Sequence, residues 1–179
     1  MSGEITFAAK NGSSVLLREA VPADAGELVD AVRSAADERS LVMSEKRSRK
    51  ENDEAAYITA LNRDKNLLLV AVIEGRVIGG LAVLQADEGK REKTAQICHV
   101  GLHIVREYRE QRIGLRMLQY AVDWVRQKDY KKIEASIFTL NKRSLGLFKK
   151  FGFIEDKNCL KQFRIGSEYI EEVCMSLMP

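Results

Sequence analysis

A strand that gives way through a charged turn to an amphipathic helix is the most restrictive pattern in this chain, and it lies at residues 94–124, TAQICHVGLHIVREYREQRIGLRMLQYAVDW. Ile97, Val100, Leu102, Ile104 and Val105 supply apolar, mostly β-branched side chains over a run too short and too polar at its start for a helix. Residues 106–112 are a charged connection. From Ile113 onward Leu115, Leu118, Val122 and Val125 recur at three- and four-residue spacing, which predicts a helix with one buried face. Its first turn leaves the backbone N–H groups of Arg112, Ile113, Gly114 and Leu115 without partners inside the helix. Such donors, with the helix dipole, favour anions and phosphates above all. Gly114 lets a ligand approach that backbone closely.

The remaining stretches alternate between the two kinds of element. Residues 4–10 and 14–19 flank Asn11-Gly12, a pair that tolerates positive φ and predicts an opening β-hairpin. Asp24-Ala25-Gly26-Glu27 has the spacing of a capping box, and Leu28, Ala31, Val32 and Ala35 then line one face of a first helix. Residues 37–52 are polar and without periodicity, a mobile loop by expectation, and Asp53 is placed to cap a second helix with Tyr57, Ile58 and Leu61 inward. Residues 67–73 and 77–84 are unbroken apolar runs joined by Glu74-Gly75-Arg76, so both of their faces are covered and they form the middle of a sheet. After a polar linker at 85–93 and the strand and helix described above, residues 132–140 form another strand, which implies a parallel crossover. Asn141 caps a short helix with Leu145 and Phe148 inward and Gly152 at its end. Residues 160–165 and 169–177 make an antiparallel pair turning at Gly166-Ser167. The expected class is α/β with a mixed sheet.

A chain of 179 residues, 45% hydrophobic and 31% charged, suits one domain over residues 1–179 with a full core. No apolar run is long enough to span a bilayer and the N-terminus lacks a signal peptide's pattern, so a cytoplasmic protein without a membrane partner is expected. A net charge of +3, with the basic cluster Lys46, Arg47, Arg49 and Lys50 free of aromatics, argues against nucleic acid. Cys98, Cys159 and Cys174 are widely spaced, with no CxxC and only two histidines; the expectation is reduced, packed thiols and no metal.

Tyr108-Arg109-Glu110-Gln111-Arg112-Ile113-Gly114 resembles the acyl-CoA pyrophosphate loop of the GNAT superfamily of N-acetyltransferases, which usually reads Arg-Gly-Gln-Gly-Ile-Gly. Glu110 and Arg112 stand where the family prefers glycine. Asn141-Lys142-Arg143-Ser144-Leu145-Gly146-Leu147-Phe148-Lys149-Lys150-Phe151-Gly152-Phe153 is similar to the family's Asn-x-x-Ala-x-x-Leu-Tyr-x-x-x-Gly-Phe element, with Phe148 in place of the tyrosine. The two occur in the family's order, and the tail GSEYIEEVCMSLM is similar to that of a bacterial subgroup.

The resemblance implies a GNAT-like mixed, largely antiparallel twisted sheet flanked by helices on both faces, and acetyl-CoA as cosubstrate. It implies an N-acetyltransferase whose acceptor is a small-molecule or protein amine, and, by family analogy, a homodimer. Arg109, Glu110, Gln111, Arg112, Ile113, Gly114 and Leu115 would hold the pyrophosphate, and Leu102, His103, Ile104 and Asn141 the pantetheine arm, with Phe148 also against the cofactor. Glu110 and Arg112 cost little if the backbone there is helical and their side chains face solvent, while Arg112 offers a guanidinium to phosphate. His99 is the candidate general base, ahead of His103. Phe148 cannot protonate a departing thiolate, which leaves Tyr169 as another donor. The acceptor would be selected by the first two helices and the C-terminal hairpin, with Asp37, Glu38 and Glu45 able to attract a cationic amine. The alternative is a catalytically weak or inactive module that binds acyl-CoA or protein and keeps the fold.

Overall fold

A computed structural model describes residues 3–37, 50–86, 96–165 and 168–179, the side chains of residues 35–37, 157–165 and 168 excepted. Among these residues lie eight strands and four α-helices. First come β1 (Ile5–Ala8), β2 (Ser14–Glu19), α1 (Ala25–Asp37), α2 (Glu51–Ala60), β3 (Leu67–Ile73) and β4 (Arg76–Gln85). They are followed by β5 (Ile97–Ile104), α3 (Ile113–Gln127), β6 (Lys132–Phe138), α4 (Lys142–Lys150), β7 (Ile154–Ile165) and β8 (Glu168–Leu177). The strands form one sheet in the order β1-β2-β3-β4-β5-β6-β8-β7, antiparallel at every junction but the parallel one between β5 and β6. It is the largely antiparallel mixed sheet that was expected.

The middle strands explain the layering. β3 is buried at every position. Its Leu67, Leu69, Ala71 and Ile73 join Met117, Leu118 and Val122 of α3 and Leu145 and Phe148 of α4 in one core. Its Leu68, Val70 and Val72 point the other way, to Ala25 and Leu28 of α1 and Ile58 of α2. Each fully buried side chain of this size contributes about 1.5–3 kcal/mol, so both layers are held chiefly by apolar burial.

Several local expectations are corrected. Asp24 does not cap α1 through Glu27; it sits in a 3-10 turn, Pro22–Asp24, and takes the Val21 N–H at 2.8 Å and both guanidinium NH groups of Arg18 at 2.7 and 2.8 Å. Glu27 instead accepts the Val77 N–H at 2.6 Å, tying α1 to the start of β4. α2 begins at Glu51 after Lys50, with no side-chain cap, so Asp53 lies in its first turn, where the dipole favours acid. β7 starts at Ile154 and carries a register shift between Glu155 and Leu160. Cys98 is buried with a free thiol, pushed up to about 12 by burial and then by Glu134, but Cys174 is disulfide-bonded, against the expectation of reduced thiols. The side chain of Cys159, the loop at 38–49, most of the linker at 85–93 and the Gly166-Ser167 turn lie outside the described residues. No helix among the described residues is long and apolar enough to cross a membrane.

One departure from regular pairing positions the site. β5 and β6 pair at Ile97, His99 and the residue between, against Lys132 to Glu134, and there the ladder stops. Past that point β5 follows β4 to Ile104, while β6 follows β8 to Phe138. The sheet therefore forks. At the same end, the β3–β4 register shifts between Ala71 and Val72, leaving Ile78 of β4 outside the ladder, with its carbonyl accepting the Val105 N–H at 2.9 Å. Such a bulge bends and twists its strand locally.

Candidate active site

The charged connection after β5 is a shaped loop. Arg106–Tyr108 form a 3-10 turn, and Arg109 donates its Nε to the Ile104 carbonyl at 2.8 Å, pinning the loop to the end of its strand. Glu110 and Arg112 have φ of 64° and 65°, in the left-handed region. The condition for a small cost, a helical backbone, is therefore not met, and the family's glycines have a physical reason: a Cβ in this conformation costs about 1–2 kcal/mol. Arg112→Gly should therefore be more stable than Arg112→Ala by about 1 kcal/mol, the reverse of the usual helix order, as read by urea unfolding of both variants.

Arg112 is also the N-cap of α3. It makes no side-chain cap hydrogen bond, and the first turn contains no acid, so the leading N–H groups have no acceptor from a cap or an acidic neighbour. These donors open on a cavity of about 450 Å³, lined by Leu102, His103, Ile104, Arg109, Glu110, Arg112, Ile113, Gly114, Leu115 and Asn141. Gln111 is not among the lining residues; its carbonyl faces the first hairpin, accepting the Lys10 N–H at 3.3 Å. Leu115 turns toward this cavity rather than into the core, where Met117 takes the buried position. A Cβ on Gly114 would lie 3.3 Å from Ile104 Cδ1 and from Leu147 Cδ2, so this glycine also lets α3 sit close to β5 and α4. Asn141 Oδ1 accepts the Ser144 N–H at 3.1 Å as the cap of α4.

Arg143, Ser144, Leu147 and Lys150 of α4 complete the lining, and the sequence reading had assigned none of them. Arg143 Nε lies 3.2 Å from Glu110 Oε1. The carboxylate that stands in the family's glycine position is thereby partnered by a cation, although an exposed pair of this kind is worth at most about 1 kcal/mol. Arg109, Arg112, Arg143 and Lys150 set four cations around one carboxylate, so the cavity favours an anion.

A second cavity, of about 560 Å³, lies on the other side of the fork between α1, α2 and the sheet, and shares Leu102, His103, Asn141 and Ser144 with the first. His99 lines it, on the opposite face of β5 from Val100, with Nδ1 3.7 Å from Glu134 Oε2; Lys132 Nζ donates to Glu134 Oε1 at 2.6 Å. Phe148 also lines this second cavity, not the first. It is 2% exposed and packs edge-on against Phe153 with centroids 4.9 Å apart. Tyr169 is 71% exposed and lines neither cavity, which removes it as a proton donor to either. Leu28, Val29 and Val32 of α1 and Glu54 and Tyr57 of α2 form the far wall, and β8 contributes Glu172. Glu38, Glu45 and the side chain of Asp37 lie outside the described residues.

The sequence model of the acetyltransferase (GNAT) family matches residues 31–153, more than half of the chain. The chain belongs to the GNAT acetyltransferase family. The same fold occurs in a GNAT acetyltransferase from Streptococcus pneumoniae, with a TM-score of 0.81 at 19% identity over 92% of this chain and 99% of that one. It occurs again in a GNAT phosphinothricin acetyltransferase from Sinorhizobium meliloti, solved in complex with acetyl-CoA, with a TM-score of 0.80 at 19% identity over 92% and 88% of the two chains. Among curated proteins, the probable N-acetyltransferase camello of Xenopus tropicalis is 25% identical over 84 residues, 47% of this GNAT chain. That match spans 36% of the camello protein.

Proposed function

We propose that this GNAT protein is an N-acetyltransferase that moves the acetyl group of acetyl-CoA to a primary amine by direct attack on the thioester. One observation carries the reading: two cavities, one lined by cations and uncapped backbone donors, the other closed by α1 and α2, meet at a fork between adjacent strands. The residues fit the cosubstrate. The first turn of α3 and its four neighbouring cations suit a pyrophosphate, and the side of β5 that β6 leaves beyond His99 suits the two amides of the pantetheine arm, as an added strand would. Acetyl-CoA supplies an activated acyl group, whose carbonyl a neutral amine attacks as the thiolate departs.

An alkylammonium has a pKa of about 10, so a proton must be taken before attack. His99 is the candidate acceptor, acting through water, with Glu134 oriented toward its Nδ1. Phe148 gives the leaving group no proton, and a missing general acid lowers the rate by about a hundredfold or more. A thiol of pKa about 8.5 nevertheless leaves as its anion. Phe148 is also the observation that favours the second reading, a catalytically weak acyl-CoA-binding module.

Calorimetric titration with acetyl-CoA separates these from a fold without a ligand. Micromolar binding by the native chain is expected, and a folded Gly114→Trp variant, whose side chain must displace Ile104 and Leu147, should bind at least about thirtyfold more weakly. Release of coenzyme A thiol with a panel of amines then distinguishes enzyme from binding module. Absence of binding by the folded native chain would overturn both.

A further inference from the structure

The two cavities carry opposite charge. The first is lined by Arg109, Arg112, Arg143 and Lys150; the second holds Glu54, Glu134 and Glu172, and no lysine or arginine whose side chain is described lines it, Lys161, whose side chain lies outside the described ones, being the β7 residue opposite Glu172. Glu134 is engaged by Lys132 at 2.6 Å. Glu172 differs. It is 2% exposed, and its Oε2 is buried with no hydrogen-bond partner among the described residues. β8 places it directly opposite Phe138 of β6, and the registers of β5, β6 and β8 put Glu172, Glu134 and His99 on the same face of the sheet. A carboxylate oxygen held away from water without a donor is strongly disfavoured, and it calls for a ligand that brings one.

We propose that Glu172 is the ammonium-binding carboxylate of the acceptor cavity, and that the acceptor is a primary amine on an apolar stem with no carboxylate beside the amine. This inference rests on the acetyl-transfer reading. The stem is indicated by Leu28, Val29, Val32, Leu68 and Leu84, which form much of the cavity wall. The exclusion of acidic acceptors follows from three glutamates sharing that space. Two consecutive acids in the strand segment EYIEEVCMSL already require that Glu171 and Glu172 point to opposite faces, so one of them enters a covered layer.

The test compares phenethylamine with phenylalanine, which adds a carboxylate to the same stem, as acceptors at saturating acetyl-CoA. The native chain should favour phenethylamine by at least about thirtyfold in kcat/KM. Glu172→Gln should lower kcat/KM for phenethylamine by about thirtyfold or more, mainly through KM, while the Kd for acetyl-CoA stays within about twofold. Glu172→Leu keeps the volume and removes the polar group, so it gives the same readout if the glutamine variant folds poorly. An unchanged KM in either folded variant overturns the inference, as does equal use of phenylalanine, or binding of acetyl-CoA by the native chain with turnover of neither amine. Failure of the native chain to bind acetyl-CoA overturns the acetyl-transfer reading itself.

Discussion

Gly79→Ala is expected to destabilise the fold by about 2–3 kcal/mol and to disable the site with it. A Cβ at Gly79 would lie 2.6 Å from the carbonyl oxygen of His103 and 3.2 Å from the Cα of Ile104. Both are backbone atoms of β5, which no rotamer change can move aside. The strand itself must shift, and with it Leu102, His103 and Ile104, which line the first cavity. Gly80→Ala is the informative contrast. Its Cβ would meet His103 Cε1 at 2.8 Å and Leu28 Cδ2 at 2.9 Å, both ends of side chains that can turn away. A loss of about 1 kcal/mol or less is expected there, with the imidazole of His103 displaced from its place between the cavities. Urea unfolding of the two variants decides the matter. Equal stabilities would mean that β4 and β5 do not approach in the register Gly79–Ile104 and Gly80–His103.

Asp24→Asn is expected to destabilise by about 3 kcal/mol, a fall in Tm of roughly 10 °C for a chain of this size. Asp24 is 6% exposed and its two oxygens take three hydrogen bonds, two from Arg18 and one from the Val21 N–H. The amide replaces an acceptor with a donor facing Arg18, leaving a partly buried guanidinium without its counter-charge. Since this junction fixes the start of α1, the wall of the second cavity loosens too. Asp123→Asn is the control, because its contacts, with Arg126 at 3.4 Å and with Gln119 Nε2 at 3.0 and 3.1 Å, are all exposed, and a change within about 0.5 kcal/mol is expected. The pH dependence has a definite sign. Burial opposes ionisation of Asp24, but the Arg18 and Val21 hydrogen bonds outweigh it and hold the carboxyl below its ordinary value. The contribution is complete above the unfolded carboxyl range, about pH 4, and is lost as pH falls through the folded value. Thermal melts of the native chain and Asp24→Asn should therefore converge only in acid.

The elements most legible in the sequence were those whose burial is strongly patterned. β3 and β4 read as central strands because both faces are apolar, and α4 read correctly because Asn141 and the inward Leu145 and Phe148 mark its cap and its face. The residues that line the first cavity were named mainly from the resemblance to the GNAT loop, while the succession of strand, turn and helix showed that Ile104 and Gly114 come together locally. What was hidden depends on contacts across the chain. Glu27 has the spacing of a cap, yet a free N–H at Val77, fifty residues away, takes its carboxylate. Leu115 fits the apolar spacing of α3 but lies at the helix start, where a cavity rather than the core faces it. The positive φ of Glu110 and Arg112 cannot be read from residues that rarely adopt it, and the family's glycines were the available sign. Arg143 and Lys150 look like a solvated helix face until α4 is set against the loop after β5.

The fork has one more consequence. Strands with unsatisfied backbone groups ordinarily lie at the rim of a sheet, where they recruit other chains and must be blunted by charge, proline or cover. Here the β5–β6 ladder ends at His99 and Glu134, so the facing sides of the two strands part inside the sheet, between the helical layers, and not at its rim. On the acetyl-transfer reading, a thin molecule with amides along its length is the ligand that would lie in this opening as an added strand. The break in pairing thus lies in the interior of the sheet, away from the rim where strand edges recruit other chains.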